Sequence, residues 1–183
     1  MVCVHRETSN SLNYNLYKMT MSVSPSELSD IIRFAKRGEC IANPDRKRRQ
    51  NKLPLDNIVV QRFLSALHQV GELEGRWCND VATLHSEAGC KEQRAHSDFA
   101  PQCVRELKGR KPATAMCALE AGSKVKIEGR EVDLPVNSIL VFEGDVIHAG
   151  SAYVHENTRL HAYLEVDEYQ PPREHNYTWY RKV

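Results

Sequence analysis

His96 and Asp98 stand one residue apart in Arg94-Ala95-His96-Ser97-Asp98-Phe99. In an extended stretch, side chains at i and i+2 leave the same face, so an imidazole and a carboxylate lie side by side. That spacing supplies two legs of a metal site. His148, in Gly144-Asp145-Val146-Ile147-His148-Ala149-Gly150, is the candidate third leg. Two imidazoles and one carboxylate on one face leave coordination positions open, the donor set associated with non-haem Fe(II) and dioxygen chemistry.

A cation follows in the chain. Alternation along 159–166 puts Leu160, Ala162, Leu164 and Val166 on one face, with Arg159, His161, Tyr163 and Glu165 on the other. The apolar face suits supporting helices. The polar face then points into the mouth of a β-structure, where a guanidinium is costly to bury unless an anion pairs with it. Its planar fork can hold a carboxylate bidentately. Gly150 and Asn157 are bend-formers between His148 and Arg159, so a reversal is expected to bring these two onto neighbouring strands with a shared face. A metal chelator carrying a distant carboxylate, such as a 2-oxo dicarboxylic acid, would satisfy both groups at once.

The elements that must position these residues divide the chain in two. Residues 1–22 are rich in Ser, Asn, Tyr and Thr without a sustained period, and are either a mobile arm or a first edge strand around Tyr14 to Met19. The remainder, 23–183, is expected to be a single domain. Ser24-Pro25-Ser26-Glu27 reads as a helix start with a capping box, and Leu28, Ile31, Ile32 and Ala35 carry the helix over about 25–37 to Gly38. Asp56 is a second cap candidate, followed by a helical stripe of Val59, Val60, Phe63, Leu64, Leu67 and Val70 over about 56–72. From Trp77 the period becomes two. Strands are expected at 81–85, around His96, at 112–119, 124–127, 130–134, 139–142 and 159–166, with Glu128-Gly129 as a tight hairpin. Several short strands with close turn signals over 77–166 predict a mainly β jelly roll with supporting helices. Tyr177, Trp179 and Tyr180 form an aromatic tail expected to line the pocket entrance or cover a sheet edge.

Bulk properties exclude little. The formal net charge is +1, so charge alone implies no partner. The one concentrated cationic run, Arg46-Lys47-Arg48-Arg49-Gln50-Asn51-Lys52, reads as a solvated basic loop, or else as a phosphate-binding or nuclear-import segment. Six cysteines are scattered without a C-x-x-C pair, and the N-terminus lacks the charged start and apolar run of a signal peptide, which points to a reduced, intracellular protein, cytoplasmic or nuclear. A zinc site from Cys78, Cys90 and Cys103 lacks the usual close pairs. No apolar stretch is long enough to cross a bilayer, so no membrane role is expected.

The order His96-x-Asp98, His148, Arg159 resembles the Fe(II)- and 2-oxoglutarate-dependent dioxygenases with a double-stranded β-helix fold. Residues 86–98 and 140–150 resemble that family's ligand-bearing segments. The resemblance implies Fe(II) held by His96, Asp98 and His148, 2-oxoglutarate anchored on Arg159, and O2 as the oxidant. It implies hydroxylation or oxidative demethylation of a substrate, coupled to decarboxylation of 2-oxoglutarate to succinate and CO2. A carboxylate at Asp98 argues against the family's halogenating branch. The substrate stays open: a protein side chain, a small molecule or a nucleic acid.

Further pocket candidates are less constrained. His161 shares the face of Arg159 and could bond the co-substrate or orient a ligand, or be a satisfied structural histidine. Gln93, Thr114, Asn79 and Thr83 are candidates for the carboxylates of 2-oxoglutarate, and Tyr163 is in range of the same face. His85 and His155 read as surface or loop residues. Two bland alternatives remain: unrelated polar residues on a metal-free β domain, and a cupin-like module that binds zinc or manganese without oxidising anything.

Overall fold

The computed structural model describes residues 5–9, 14–18, 21, 23–41, 45–169 and 179–180, of which 5–9 and 179–180 are described by backbone alone. The chain runs β1 (His5–Ser9), β2 (Tyr14–Lys18), α1 (Pro25–Lys36), β3 (Glu39–Ile41), β4 (Arg48–Leu53), α2 (Ile58–Gln69), β5 (Val81–Ser86), β6 (His96–Ser97) and α3 (Pro101–Glu106). It continues through β7 (Ala113–Ala118), β8 (Ser123–Ile127), β9 (Arg130–Leu134), β10 (Ser138–Glu143), β11 (His148–Gly150), β12 (Asn157–Leu164) and β13 (Trp179–Tyr180). Two sheets result. The larger has the order β1-β2-β10-β7-β12-β5-β4-β3 and the smaller β13-β6-β11-β8-β9. Every paired strand among them is antiparallel, which makes the predicted double-stranded β-helix, or jelly roll.

Alternation sorts the two faces of the large sheet. Val81 on β5, Ala113, Ala115 and Cys117 on β7, Ile139 and Val141 on β10, and Leu160, Ala162 and Leu164 on β12 meet Val59, Val60, Phe63 and Leu67 of α2 in one core. The opposite face therefore points inward, toward the small sheet, and carries Thr114, Met116, Leu140, Phe142, Arg159 and His161. Because the helices take the apolar face, the inner face can hold polar groups over part of its area without losing the core. Leu140, Phe142 and Met116 close the other part against Val125, Ile127, Val132 and Leu134.

Both expected helices form. Ser24 caps α1, its hydroxyl accepting from Glu27 N at 3.3 Å while Glu27 Oε2 accepts from Ser24 N at 2.8 Å. Asn57, not Asp56, caps α2, accepting from Val59 N at 2.9 Å and Val60 N at 3.4 Å. The Glu128-Gly129 hairpin forms with both residues at positive φ, 49° and 83°, the geometry that matches the twist of β8 and β9.

Other expectations need correction. The basic run 46–52 is not a solvated loop, because 48–53 is strand β4, paired with β3 and β5. Its charge hid a period of two: Arg48 and Gln50 face inward while Leu53 joins the helix-side core. Residues 14–18 form the strand alternative rather than a mobile arm, pairing with β10 on one side and β1 on the other. His148 and Arg159 do not sit on neighbouring strands: β11 belongs to the small sheet and β12 to the large one, so they face each other across the roll. His85 is buried rather than superficial, its Nδ1 lying 2.9 Å from Thr158 Oγ1. Helix α3 and strands β3 and β11 are too short to carry a recognisable period. Trp179-Tyr180 pairs with β6 and covers an edge of the small sheet, while Tyr177 lies outside the described residues. No helix among the described residues is long and apolar enough to cross a membrane.

Phe63 is fully buried between α2 and the large sheet. Phe63→Ala is expected to cost about 3–5 kcal/mol through lost transfer energy and a residual cavity. Chemical denaturation of the two proteins should show that loss as a lower midpoint.

Candidate metal centre and anion pocket

His96 and His148 are paired across β6 and β11, which brings their ring centroids to 4.5 Å. Each ring is held by its own backbone. His96 Nδ1 lies 2.8 Å from Arg94 O, and His148 Nδ1 lies 3.1 Å from Val146 O. A carbonyl oxygen only accepts, so both Nδ1 atoms carry the proton and both Nε2 atoms present a lone pair to the interior. Asp98 follows directly after β6, with Oδ1 at 3.9 Å from His96 Nε2 and Oδ2 at 3.5 Å from His148 Nε2. One donor atom from each of the three residues lies within 4.8 Å of the others, and among the described residues this is the group that could hold a metal ion.

Asp98 is held from behind. Thr114 Oγ1 donates to Oδ2 at 2.5 Å, and His161 Nε2 lies 3.5 Å from the same oxygen. Burial alone would raise its carboxyl, but the imidazoles of His148, His161 and His96 outweigh it and hold the group well below the usual carboxylate range. Burial pushes His148 down to about 4 despite Asp98, so it is neutral at physiological pH, as a metal ligand must be. Gly144 fixes the approach of this segment: Phe99 N donates to its carbonyl at 3.0 Å, and a Cβ there would run into the Phe99 ring.

Arg159 lies two residues from His161 on the inner face of β12, about 7 Å along the strand. It is 1 % exposed, donates from Nη1 to Tyr153 Oη at 3.1 Å, and has no partner for its buried Nε among the described residues. Together with His96, Asp98, His148 and His161 it lines a cavity of about 80 Å³, closed by Leu84, Met116 and Tyr163.

Solved structures share this arrangement of strands. A viral collagen prolyl hydroxylase from Paramecium Bursaria Chlorella virus-1, in complex with 2-oxoglutarate, matches with a TM-score of 0.63 at 13 % identity, covering 86 % of this chain and 98 % of that one. A 2OG-Fe(II) oxygenase family oxidoreductase from Burkholderia pseudomallei matches at 0.58 and 13 % identity, over 90 % of both chains. HygX from Streptomyces hygroscopicus, with nickel and 2-oxoglutarate bound, matches at 0.59 and 8 % identity, over 86 % of this chain and 84 % of that one. The chain has the fold of the 2-oxoglutarate- and Fe(II)-dependent oxygenases. No protein-family model matches the sequence, and no curated protein matches it either.

The residues present fit what that oxygenase fold is built to hold. Two nitrogen donors and one oxygen donor converge from one side, a set suited to Fe(II). The buried Arg159 Nε, without a partner among the described residues, fits an anionic co-substrate.

Sequence-derived candidates distribute unevenly. Gln93 lines the cavity, but its Oε1 accepts from Gly150 N at 3.0 Å, leaving only its NH2 to offer a carboxylate. Thr114, expected to contact the co-substrate, instead directs its hydroxyl at Asp98. Thr83 bonds Asn51 O at 3.2 Å and is not part of the cavity wall, and neither is Asn79. His155 is exposed, as expected. Among the described residues no cysteine joins a metal-binding group.

Tyr153 and the inward turn of Arg48 escape the sequence reading, and Gly150, expected there as a bend-former, also lines the cavity. Arg48 could have been found only by reading Arg48-Arg49-Gln50-Asn51-Lys52-Leu53 as an alternating strand despite its charge.

Thr114→Val keeps the shape of the side chain and removes the hydrogen bond to Asp98. Anaerobic titration with Mn(II) or Fe(II) should show metal affinity lowered about 10- to 100-fold, the usual effect of losing a group that orients a ligand.

Proposed function

We propose that this chain is a 2-oxoglutarate- and Fe(II)-dependent oxygenase that hydroxylates or oxidatively demethylates its substrate, converting 2-oxoglutarate to succinate and CO2. The observation that carries the reading is the convergence, on one small cavity, of a three-donor metal group and a buried guanidinium with no carboxylate partner among the described residues. Iron, when bound, supplies a centre at which dioxygen and the 2-oxo acid react.

The chain's own residues would divide the work. His96 and His148 offer Nε2, with the proton kept on Nδ1 by backbone carbonyls. Asp98 offers a carboxylate oxygen, with Thr114 and His161 holding its orientation. Arg159 would bind the far carboxylate of 2-oxoglutarate through its planar fork, from the same cavity wall that carries the donors. Leu84 and Met116 keep water from the intervening space.

Substrate would reach the centre past β3 and β4. Ile41 and Gln50 belong both to the site and to an adjoining cavity of about 500 Å³ lined by Glu39, Cys40, Asn51 and Lys52. A peptide segment or a small molecule fits this entry better than a nucleic acid, because three cations of the basic run are engaged within the chain. Arg49 pairs with Glu87 at 2.8 Å, Lys52 with Asp80 at 2.7 Å, and Arg48 is buried. Similar folds serve both substrate classes, in a collagen prolyl hydroxylase and in HygX bound to hygromycin B. The bland competitor is a cupin-like module that binds a metal and never consumes 2-oxoglutarate.

Adding Fe(II) and then 2-oxoglutarate without oxygen should produce the weak visible charge-transfer band of the chelated complex. His148→Ala should abolish the band, and Arg159→Ala should demand far more 2-oxoglutarate while leaving metal affinity nearly intact. Admitting oxygen should then release succinate. Metal binding with neither band nor succinate would favour the cupin-like module, and equal loss of metal and co-substrate in Arg159→Ala would make Arg159 structural.

A further inference from the structure

Arg159 is not the only guanidinium buried at this wall. Arg48, on β4, is 3 % exposed, with Nη1 donating to Ser86 Oγ at 2.7 Å and Nη2 to the carbonyls of Lys91 at 2.8 Å, Gly150 at 3.2 Å and Ser151 at 2.7 Å. The two cations converge on one glycine. A Cβ built on Gly150 would run into Gln93 Oε1 and stand 3.0 Å from Arg48 Nη1 and 3.1 Å from Arg159 Nη2, so both guanidiniums lie close against this glycine. Tyr153 serves both, its ring centroid 6.0 Å from Arg48 Cζ and 5.9 Å from Arg159 Cζ.

Neither guanidinium has a carboxylate partner among the described residues. Asp45 acts on Arg48 only at longer range, its oxygens taken by the backbone N–H groups of Lys47 at 3.1 Å and Lys91 at 2.5 Å. The Ser86 hydroxyl and three carbonyls satisfy the Arg48 Nη groups without cancelling its charge, and the Nε of each guanidinium has no partner among the described residues. Burial, and then repulsion from Arg159, lower Arg48 to about 10, which still leaves it charged at neutral pH. Two like charges in a poorly screened wall repel each other, and an anion placed between the cavity and that wall relieves both.

We propose that Arg48 is a specificity-determining residue for the co-substrate: its charge, standing behind Arg159, makes the pocket prefer a dianionic 2-oxo acid to a monoanionic one of the same length. The proposal rests on the co-substrate reading given above. Arg159 makes the direct contact, and Arg48 acts through the field at the far carboxylate and through its hold on Gly150. A field effect depends on the ligand's far charge, whereas a bracing effect does not.

The test is calorimetric titration of the full chain, loaded with Mn(II) under nitrogen, with 2-oxoglutarate and with 2-oxopentanoate, whose far end is a methyl group. Arg48→Gln should weaken 2-oxoglutarate about tenfold or more, leave 2-oxopentanoate within about twofold, and leave Mn(II) affinity unchanged. Arg48→Lys should keep most of the preference for the diacid. Arg48→Met, which removes the buried charge but keeps an apolar stem, takes the place of the glutamine variant if that one does not fold. Equal weakening of the two acids, or a lysine variant as poor as the neutral ones, would overturn the proposal and leave Arg48 a brace. A wild-type protein that binds Mn(II) but neither acid would instead overturn the co-substrate reading itself.

Discussion

Charged groups are buried here without the opposite charges that usually accompany them. A carboxylate sits among three imidazoles, and two guanidiniums sit together with no carboxylate partner among the described residues. Water would solvate each of these groups far better than an apolar interior does, so the arrangement persists only because the surrounding structure fixes donors and acceptors around it. Arg94 and Val146 carbonyls set two imidazoles, Thr114 sets the carboxylate, and the Lys91, Gly150 and Ser151 carbonyls set Arg48. Stability is not the reason for such a wall, since apolar groups of the same volume would serve it as well or better.

The sandwich is what makes this burial tolerable. Alternation gives each strand of the large sheet one face for α2 and one for the roll. The helix-side core, with Phe63, Leu67, Leu160 and Leu164 fully buried, carries the hydrophobic burden that the inner face partly gives up. Short strands then do the positioning. β6 and β11 are two and three residues long, so each hands its ligand to the interior at the edge of a turn, and direct pairing of His96 with His148 fixes their separation. Gly144 lets the Phe99 ring, beside Asp98, pack against its backbone, and a side chain at Gly150 would run into Gln93 and crowd both guanidiniums.

Much of this was legible in the sequence because it rests on local periods. The helix caps, the hairpin at Glu128-Gly129, the two faces of β12 and the His-x-Asp spacing each depend on neighbours in the chain. What escaped depends on distant pairing. β4 looked like a charged loop because its partners β3 and β5 could not be seen, and only those partners turn Arg48 inward. The hydroxyl of Thr114 pointed to the interior, as its strand parity required. Yet whether it met a ligand or Asp98 turned on how two sheets lie over one another, which no period encodes. The same limit explains His148 and Arg159: the bend between them was visible, but not that it carries the chain from one sheet to the other.

The charges also connect the two halves of the site. Asp98 is held ionised beside a neutral His148, while Arg48 stands charged behind the cavity. Loading the three donors with a divalent cation adds two positive charges inside a poorly screened space, and a dicarboxylate returns the balance to its starting value. Each ligand therefore lowers the electrostatic cost of the other, and linkage requires that help to be equal in both directions. A monoanionic acid would leave one positive charge more behind the chelating end than a dianionic one does. The selectivity proposed for Arg48 and the coupling between metal and co-substrate would thus share one origin, the burial of Arg48 and Arg159 with no carboxylate partner among the described residues.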